Sequence, residues 1–402
     1  MKRHVATTCL FLGLLAGLAA GQAAQVTTIT GESFTGRLIR IADAAAEFVT
    51  VSGTRKLPAR DLWQIRLTDS ADPMEVPGQK VVVLTGPAAG VLAAQELSLQ
   101  ADKLSVESKL LGAVTIDVTA VAAIYLPRQD QKPRACQKTM QDMELPNVKK
   151  DYLLARNPKG NWVPVPGVLK GIASGKVTFE FSGEDRTVDL SSVQAIRLAA
   201  VPTAGPAPAG QLVGKDGSTV PFDSISLAGA RVSIAAAGLK AQPADLAAVA
   251  DIRFRSERCV YLSELAPAKV TQVGLFDVAF AFRRDRSSAG TPIQLDGRTY
   301  TRGIGLHSRC ELSYDLGGKF LSFAALAGID AAGGSRGNAT LSLLGDGKPL
   351  IQPVKLTGSG KPVSLRCSLA GLKEFTLLVD FGDDGIDVGD HVSLADARLV
   401  KP

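Results

Sequence analysis

Four short phrases recur along this chain, each closing a stretch of similar texture: Ile65-Arg66-Leu67, Ile124-Tyr125-Leu126, Ile196-Arg197-Leu198 and Ile252-Arg253-Phe254. Asp117, Asp189 and Asp245 stand seven residues ahead of the Ile in the last three copies. The first copy has Pro58 at that offset and Asp61 closer in. A glycine-rich turn lies upstream of each phrase: Gly31 and Gly36, Gly86 and Gly90, Gly160 and Gly167, Gly214 and Gly217. Between turn and phrase run alternating stretches such as Phe48-Val49-Thr50-Val51 and Val177-Thr178-Phe179-Glu180-Phe181. Alternation bounded by glycines is the pattern of half-buried strands, and a repeated pattern means a repeated supersecondary unit.

Each copy therefore reads as four or five strands, the size of an SH3-like β-barrel. Two units are expected in residues 24–128, a third in 150–201 and a fourth in 211–256, grouped as two pairs. Residues 70–79 contain two prolines and separate the first two units. Residues 129–149 read as a polar linker with one helix around 136–143, and residues 202–210, rich in Ala, Pro and Gly, as a semi-extended linker. Arg66, Arg197 and Arg253 read as solvated or locally paired strand-end residues.

The chain opens with Lys2, Arg3 and His4, an apolar run up to Ala20, and the small residues Gly21-Gln22-Ala23-Ala24. This is the order of a secretory signal peptide, with cleavage expected after Ala23. A secreted, periplasmic or cell-envelope location follows, with no membrane span after cleavage. Losing Lys2 and Arg3 lowers the formal charge from +6 by two to +4, a dispersed excess that does not point to nucleic acid. Cys136, Cys259, Cys310 and Cys367 remain. An oxidising compartment permits disulfides among them, in any of three pairings, and none has the spacing of a zinc or redox motif.

From residue 259 to 402 the texture changes to aliphatic strands between turns marked by Gly and Asp, the spacing of a β-sandwich. Tyr261-Leu262-Ser263-Glu264-Leu265 opens this region. Arg284-Asp285-Arg286-Ser287, Pro292-Ile293-Gln294-Leu295-Asp296-Gly297, Gly303-Ile304-Gly305-Leu306-His307-Ser308, Gly345-Asp346-Gly347 and Asp390-His391 follow in order. In this set of phrases the segment resembles the NPCBM family of bacterial carbohydrate-binding modules. The resemblance implies a galactose-binding-like jelly-roll sandwich that takes a glycan or polysaccharide through loops at one end. It departs at Leu394, which stands near the place of a family Trp, and the segment has no Trp at all.

Candidate ligand-binding residues are Arg286, His307, Glu311, Asp387, Asp390 and His391. An Arg can donate to vicinal hydroxyls, and His307 ends a glycine-rich turn at a sandwich edge. Residues 380–390 hold five carboxylates, with Asp383, Asp384 and Asp387 as candidate Ca²⁺ ligands, although the spacing is not that of an EF-hand and a solvated acidic turn is the alternative. No cofactor is required by any motif. The sequence has no GxSxG elbow, HExxH or Walker loop. The reading is a non-catalytic carbohydrate-binding protein. Its alternative is a cell-surface interaction protein that has lost sugar binding, with envelope proteins docking on the N-terminal repeats by strand addition.

Overall fold

The computed structural model describes residues 21–68, 75–86, 90–143, 145, 149–157, 159–199, 206–275 and 279–402. The basic and apolar parts of the signal-peptide reading, and part of the 202–210 linker, lie outside these residues. The all-β expectation holds. Alternation becomes burial directly: in the strand Lys103–Ser108, Leu104, Val106 and Ser108 are buried while Lys103, Ser105 and Glu107 are exposed.

The first unit shows the plan of all four. Its strands are Gln22–Thr28, Ser33–Ala42, Ala45–Thr50, Gly53–Pro58 and Leu62–Leu67. The first four pair in sequence, and the fifth returns to the free side of the first. One 3-10 turn precedes the last strand of every unit: Ala59–Asp61, Val118–Ala120, Leu190–Ser192 and Leu246–Ala248. The recurring Asp117, Asp189 and Asp245 stand immediately before these turns. Only the Asp245 side chain caps its turn, accepting from the Ala247 N–H at 2.8 Å, a backbone donor otherwise left unpaired at a helix start.

The units are not free-standing. Their strands join in one 23-stranded hydrogen-bonded system around a common core that includes Leu38, Phe48, Leu104, Phe179 and Phe222. The recurring phrase is the seam. Leu62–Leu67 pairs with Val249–Phe254, placing Ile65 opposite Ile252, and Val121–Tyr125 pairs with Val193–Arg197, placing Ile124 opposite Ile196. Unit 1 thus joins unit 4, and unit 2 joins unit 3. Units 2 and 4 meet through Gly112–Asp117 against Leu239–Ala241. The order in space is 1-4-2-3.

Charge as well as apolar surface is sealed at the first seam. Asp251 is 1% exposed and accepts from Gln64 Nε2 at 2.9 Å, Arg66 Nε at 3.0 Å and Arg253 at 3.5 Å. Two of the repeated arginines are therefore local partners of one buried carboxylate. The third, Arg197, lies 5.8 Å from the Tyr152 ring centroid. At the second seam, the helix Pro133–Gln141 buries Cys136 and Met140 against Ala123, Tyr125 and Ala195, so residues 129–149 contain a packed element.

The C-terminal region is a two-sheet antiparallel sandwich. One sheet runs Arg283–Arg284, Gly303–His307, His391–Val400, Ser322–Ile329, Val363–Ser368, and the other runs Lys269–Gln272, Cys310–Asp315, Glu374–Phe381, Asn338–Gly345. Leu306, Leu312, Phe323, Phe375, Leu377 and Leu394 fill the space between them. The four cysteines are free, and burial pushes their thiols up, to about 11 for Cys136 and Cys259 and about 12 for Cys310 and Cys367.

The sandwich is docked on unit 1. Arg398, 4% exposed, donates to the carbonyls of Thr28 (3.1 Å) and Ile29 (2.8 Å), and its guanidinium lies 4.0 Å from the Trp63 ring centroid. Arg258 pairs with Asp61 at 2.7 Å. Gly31 is at φ +83°, and a Cβ there would come within 3.0 Å of Ala324 Cβ, so a glycine lets this turn approach the sandwich.

Two outcomes follow. Asp251→Ala should lower stability by about 1–3 kcal/mol, because Arg66 and Gln64 lose their acceptor but can reach water. A shifted urea midpoint with an unchanged slope checks this. Arg398→Ala should cost about 3 kcal/mol, by leaving two buried carbonyls unpaired and losing the contact over Trp63. Calorimetry should then show the sandwich and the repeat body unfolding as separate transitions.

Candidate functional site

The glycines of the Gly-Ile-Gly-Leu-His phrase set the geometry of one end of the sandwich. The strand Arg283–Arg284 pairs with Gly305 and Ile304. A Cβ on Gly305 would lie 2.4 Å from the Arg286 carbonyl oxygen and 2.5 Å from Ser288 N. The turn of residues 286–288 therefore crosses directly over this glycine, which no larger residue would allow.

His307 and His391 are directly opposed in register on adjacent strands, with ring centroids 4.7 Å apart. His307 is 3% exposed, and its Nδ1–H donates to the Ser308 carbonyl at 3.0 Å. His391 Nδ1 hydrogen-bonds Ser288 Oγ at 2.8 Å. Asp390 sits beneath them, fully buried, accepting from Ser308 Oγ at 2.6 Å and from the Asn338 N–H at 2.8 Å. Both imidazoles titrate below their usual value, chiefly because burial disfavours the cation, and the His307 ring further lowers His391. Burial pushes the Asp390 carboxyl the other way, above its usual value, against the two hydrogen bonds it accepts.

Phe280 completes the group. Its ring stacks on His307 with centroids 4.1 Å apart at 29°, meets His391 edge-on at 5.8 Å, and is itself 39% exposed. An exposed aromatic ring backed by two fixed imidazoles is a ready-made apolar platform. The sequence reading did not single it out, because a Phe between alanines resembles core. The signal available was three Phe, at 276, 280 and 282, close to the charged loop.

Beside this platform, Phe282, Arg283, Arg284 and Arg286 line an open depression of about 480 Å³. Arg286 donates to the Gly290 carbonyl at 3.2 Å and Arg283 to the Ser288 carbonyl at 3.2 Å. Ser288 thus touches both the platform and the arginine loop.

The other sequence candidates divide. His307, His391 and Asp390 come together; the charge of Asp387 acts on His307 and Asp390, and its carbonyl accepts from the Asp390 N–H at 3.2 Å. Glu311 stands between inward-facing Cys310 and Leu312, and it pairs with Lys269 at 3.8 Å, outside the histidine group. Asp383 is held by Lys355 at 2.8 Å, and Asp384 is exposed. No cluster of three His, Cys, Asp or Glu side chains suited to a metal occurs among the described residues. Leu394 lies in the core at 0% exposure, paired with Ile304, so the position near the family's Trp is an interior one here.

The C-terminal region is thus a two-sheet antiparallel sandwich with an exposed aromatic ring beside two buried or half-buried imidazoles. Residues 258–400 match the NPCBM/NEW2 domain family, and the C-terminal third of the chain is a domain of that family. A 90-residue stretch is 33% identical to a curated protein of Renibacterium salmoninarum named "Putative endo-alpha-N-acetylgalactosaminidase". That stretch is 22% of this chain but 6% of the relative, so this chain corresponds to only a small part of its length. Among solved structures, a CBM51 module from Clostridium perfringens GH95, in complex with methyl-galactose, is 27% identical. The match covers 35% of this chain and 99% of that one, with a TM-score of 0.32. The CBM51-2 and INT domains of Clostridium perfringens ZmpB, in complex with GlcNAc, are 20% identical with a TM-score of 0.33, covering 48% and 43% of the two chains.

The histidine pair generates a pH test with a definite sign. With folded values depressed below 6.5, the unfolded chain takes up protons at this pair before the folded chain does, so stability falls as pH drops below 6.5. Asp390 acts oppositely: its raised folded value gives a contribution present below 3.8 that is lost as pH rises through that folded value. Urea midpoints should decline on acidification from pH 6.5, and a His307→Gln/His391→Gln variant should decline less. Parallel declines would remove the histidines as the cause.

Proposed function

We propose that this chain is an exported, non-catalytic carbohydrate-binding protein, and that its sandwich takes a sugar at the loop end formed by Phe280, His307, His391 and the 286–290 turn. The observation that carries this reading is the Phe280 ring, exposed on a rigid imidazole backing at 4.1 Å. Sugars present C–H faces that pack on such rings, while their hydroxyls need donors and acceptors at the ring edge. Arg286 supplies donors there. Membership of the NPCBM/NEW2 family in residues 258–400 supports the same class of ligand.

The non-catalytic part rests on how the polar groups are committed. A serine hydrolase needs its serine on one imidazole nitrogen and a carboxylate on the other. Here Ser288 occupies Nδ1 of His391, and the Asp390 carboxylate is spent on Ser308 and Asn338. Export rests on residues 1–23 as read from the sequence. No helix among the described residues is long and apolar enough to cross a membrane. The four repeats serve as a rigid mount that carries the sandwich.

Docking of envelope proteins by strand addition is less favoured. The outer strands of units 1 and 3, Gly53–Pro58 and Glu184–Asp189, pair on one side only among the described residues. They read Gly-Thr-Arg-Lys-Leu-Pro and Glu-Asp-Arg-Thr-Val-Asp, and charges and Pro on an edge discourage added strands.

A glycan array probed with the full chain tests the reading. One glycan class should bind reproducibly, and Phe280→Ala should weaken it roughly tenfold, about 1.4 kcal/mol. A folded protein that binds nothing on the array, or binds equally without the ring, overturns it. Turnover of chromogenic glycosides by pure protein would overturn its non-catalytic part.

A further inference from the structure

The charged run Arg283-Arg284-Asp285-Arg286 is not a balanced surface loop. Asp285, at φ +56°, turns its carboxylate back into the fold, where Oδ1 accepts from the Gly303 N–H at 3.0 Å and Oδ2 from Arg302 at 3.0 Å. Arg302 also pairs with Glu264 at 3.6 Å. The one acidic residue of the run is thus withdrawn, and the neighbouring cation that would otherwise add to the cluster is neutralised.

The guanidinium groups of Arg283, Arg284 and Arg286 remain, on the three residues that line the depression of about 480 Å³ together with Phe282. Their only hydrogen-bond partners among the described residues are two main-chain carbonyls, those of Ser288 and Gly290. No carboxylate pairs with Arg283, Arg284 or Arg286 among the described residues. Three arginines thus line one depression with no carboxylate partner among the described residues, and a bound anion would supply the counter-charge. The planar forks of arginine suit a carboxylate or sulfate held by paired hydrogen bonds.

We infer that this depression binds an acidic sugar unit, a uronate or a sulfated residue, of the glycan whose neutral part packs on Phe280. This deepens the carbohydrate-binding reading and rests on it. Ser288 links the two halves, holding Arg283 by its carbonyl and His391 by its hydroxyl. The glycine at 305 places the turn between them.

The test is titration calorimetry of the full chain with polygalacturonate, chondroitin sulfate and neutral galactan, with double-stranded DNA as a polyanion control. An acidic polysaccharide should bind at least about tenfold more tightly than galactan and weaken as salt rises from about 0.05 to about 0.3 M. R283Q/R284Q, which leaves Arg286 in place, should remove most of that preference while leaving neutral binding within about twofold. R283K/R284K keeps the charge but not the forks and should recover only part of the preference. Thermal unfolding confirms that both variants fold. Neutral binding sensitive to Phe280→Ala, with no acidic preference, overturns this inference and leaves the broader reading standing. Binding to DNA as tight as to the acidic glycans also overturns it, and binding to no polysaccharide overturns both.

Discussion

A five-stranded unit that folds its last strand back onto its first still has a bare edge on that last strand, and the whole N-terminal body follows from covering it. Unpaired backbone donors and acceptors beside an apolar strand are costly when buried and sticky when exposed. The seams between Ile65 and Ile252 and between Ile124 and Ile196 satisfy both edges with identical partners. Choosing unit 4 for unit 1, and unit 3 for unit 2, nests one pair inside the other along the chain. Four similar units thereby share one core, with Gly53–Pro58 and Glu184–Asp189 as outer strands of units 1 and 3 among the described residues.

This nesting also positions the sandwich. Unit 4 ends at Phe254 beside unit 1, so residues 255–258 need only a short path to start the C-terminal domain there. Arg398 then lies over Trp63, whose ring meets Tyr261 edge-on with centroids 5.8 Å apart. Trp63 and Arg398 come from opposite ends of the sequence. The sandwich is held to its mount by the hydrogen bonds from Arg398 to the backbone carbonyls of Thr28 and Ile29.

Much of this was legible in the sequence because it is local. Alternation in Lys103–Ser108 announces a strand, and the spaced Asp residues announce a repeat, each standing immediately before a 3-10 turn. The partner of each seam was not legible. Four edges carrying nearly the same Ile-centred phrase are equivalent in sequence, and only packing of all four decides among them. The site shows the same division. His307, His391 and Asp390 were visible through their motifs, whereas Phe280 was hidden because aromatic residues serve core and surface alike. The partners of Glu311 and Asp383, Lys269 and Lys355, were not legible, because a charge in a string does not reveal what it pairs with.

The seam between the first and last units joins residues nearly two hundred positions apart; Gln64 and Asp251 are separated by 187. Unit 1 is synthesised with its edge open and stays so until the end of unit 4 has been made. Long closures of this kind are slow to form, and open strand edges in the meantime invite wrong partners. The nested order thus favours a chain held unfolded until it is complete and released all at once. Transport through a membrane pore before folding imposes that regime on any chain that undergoes it.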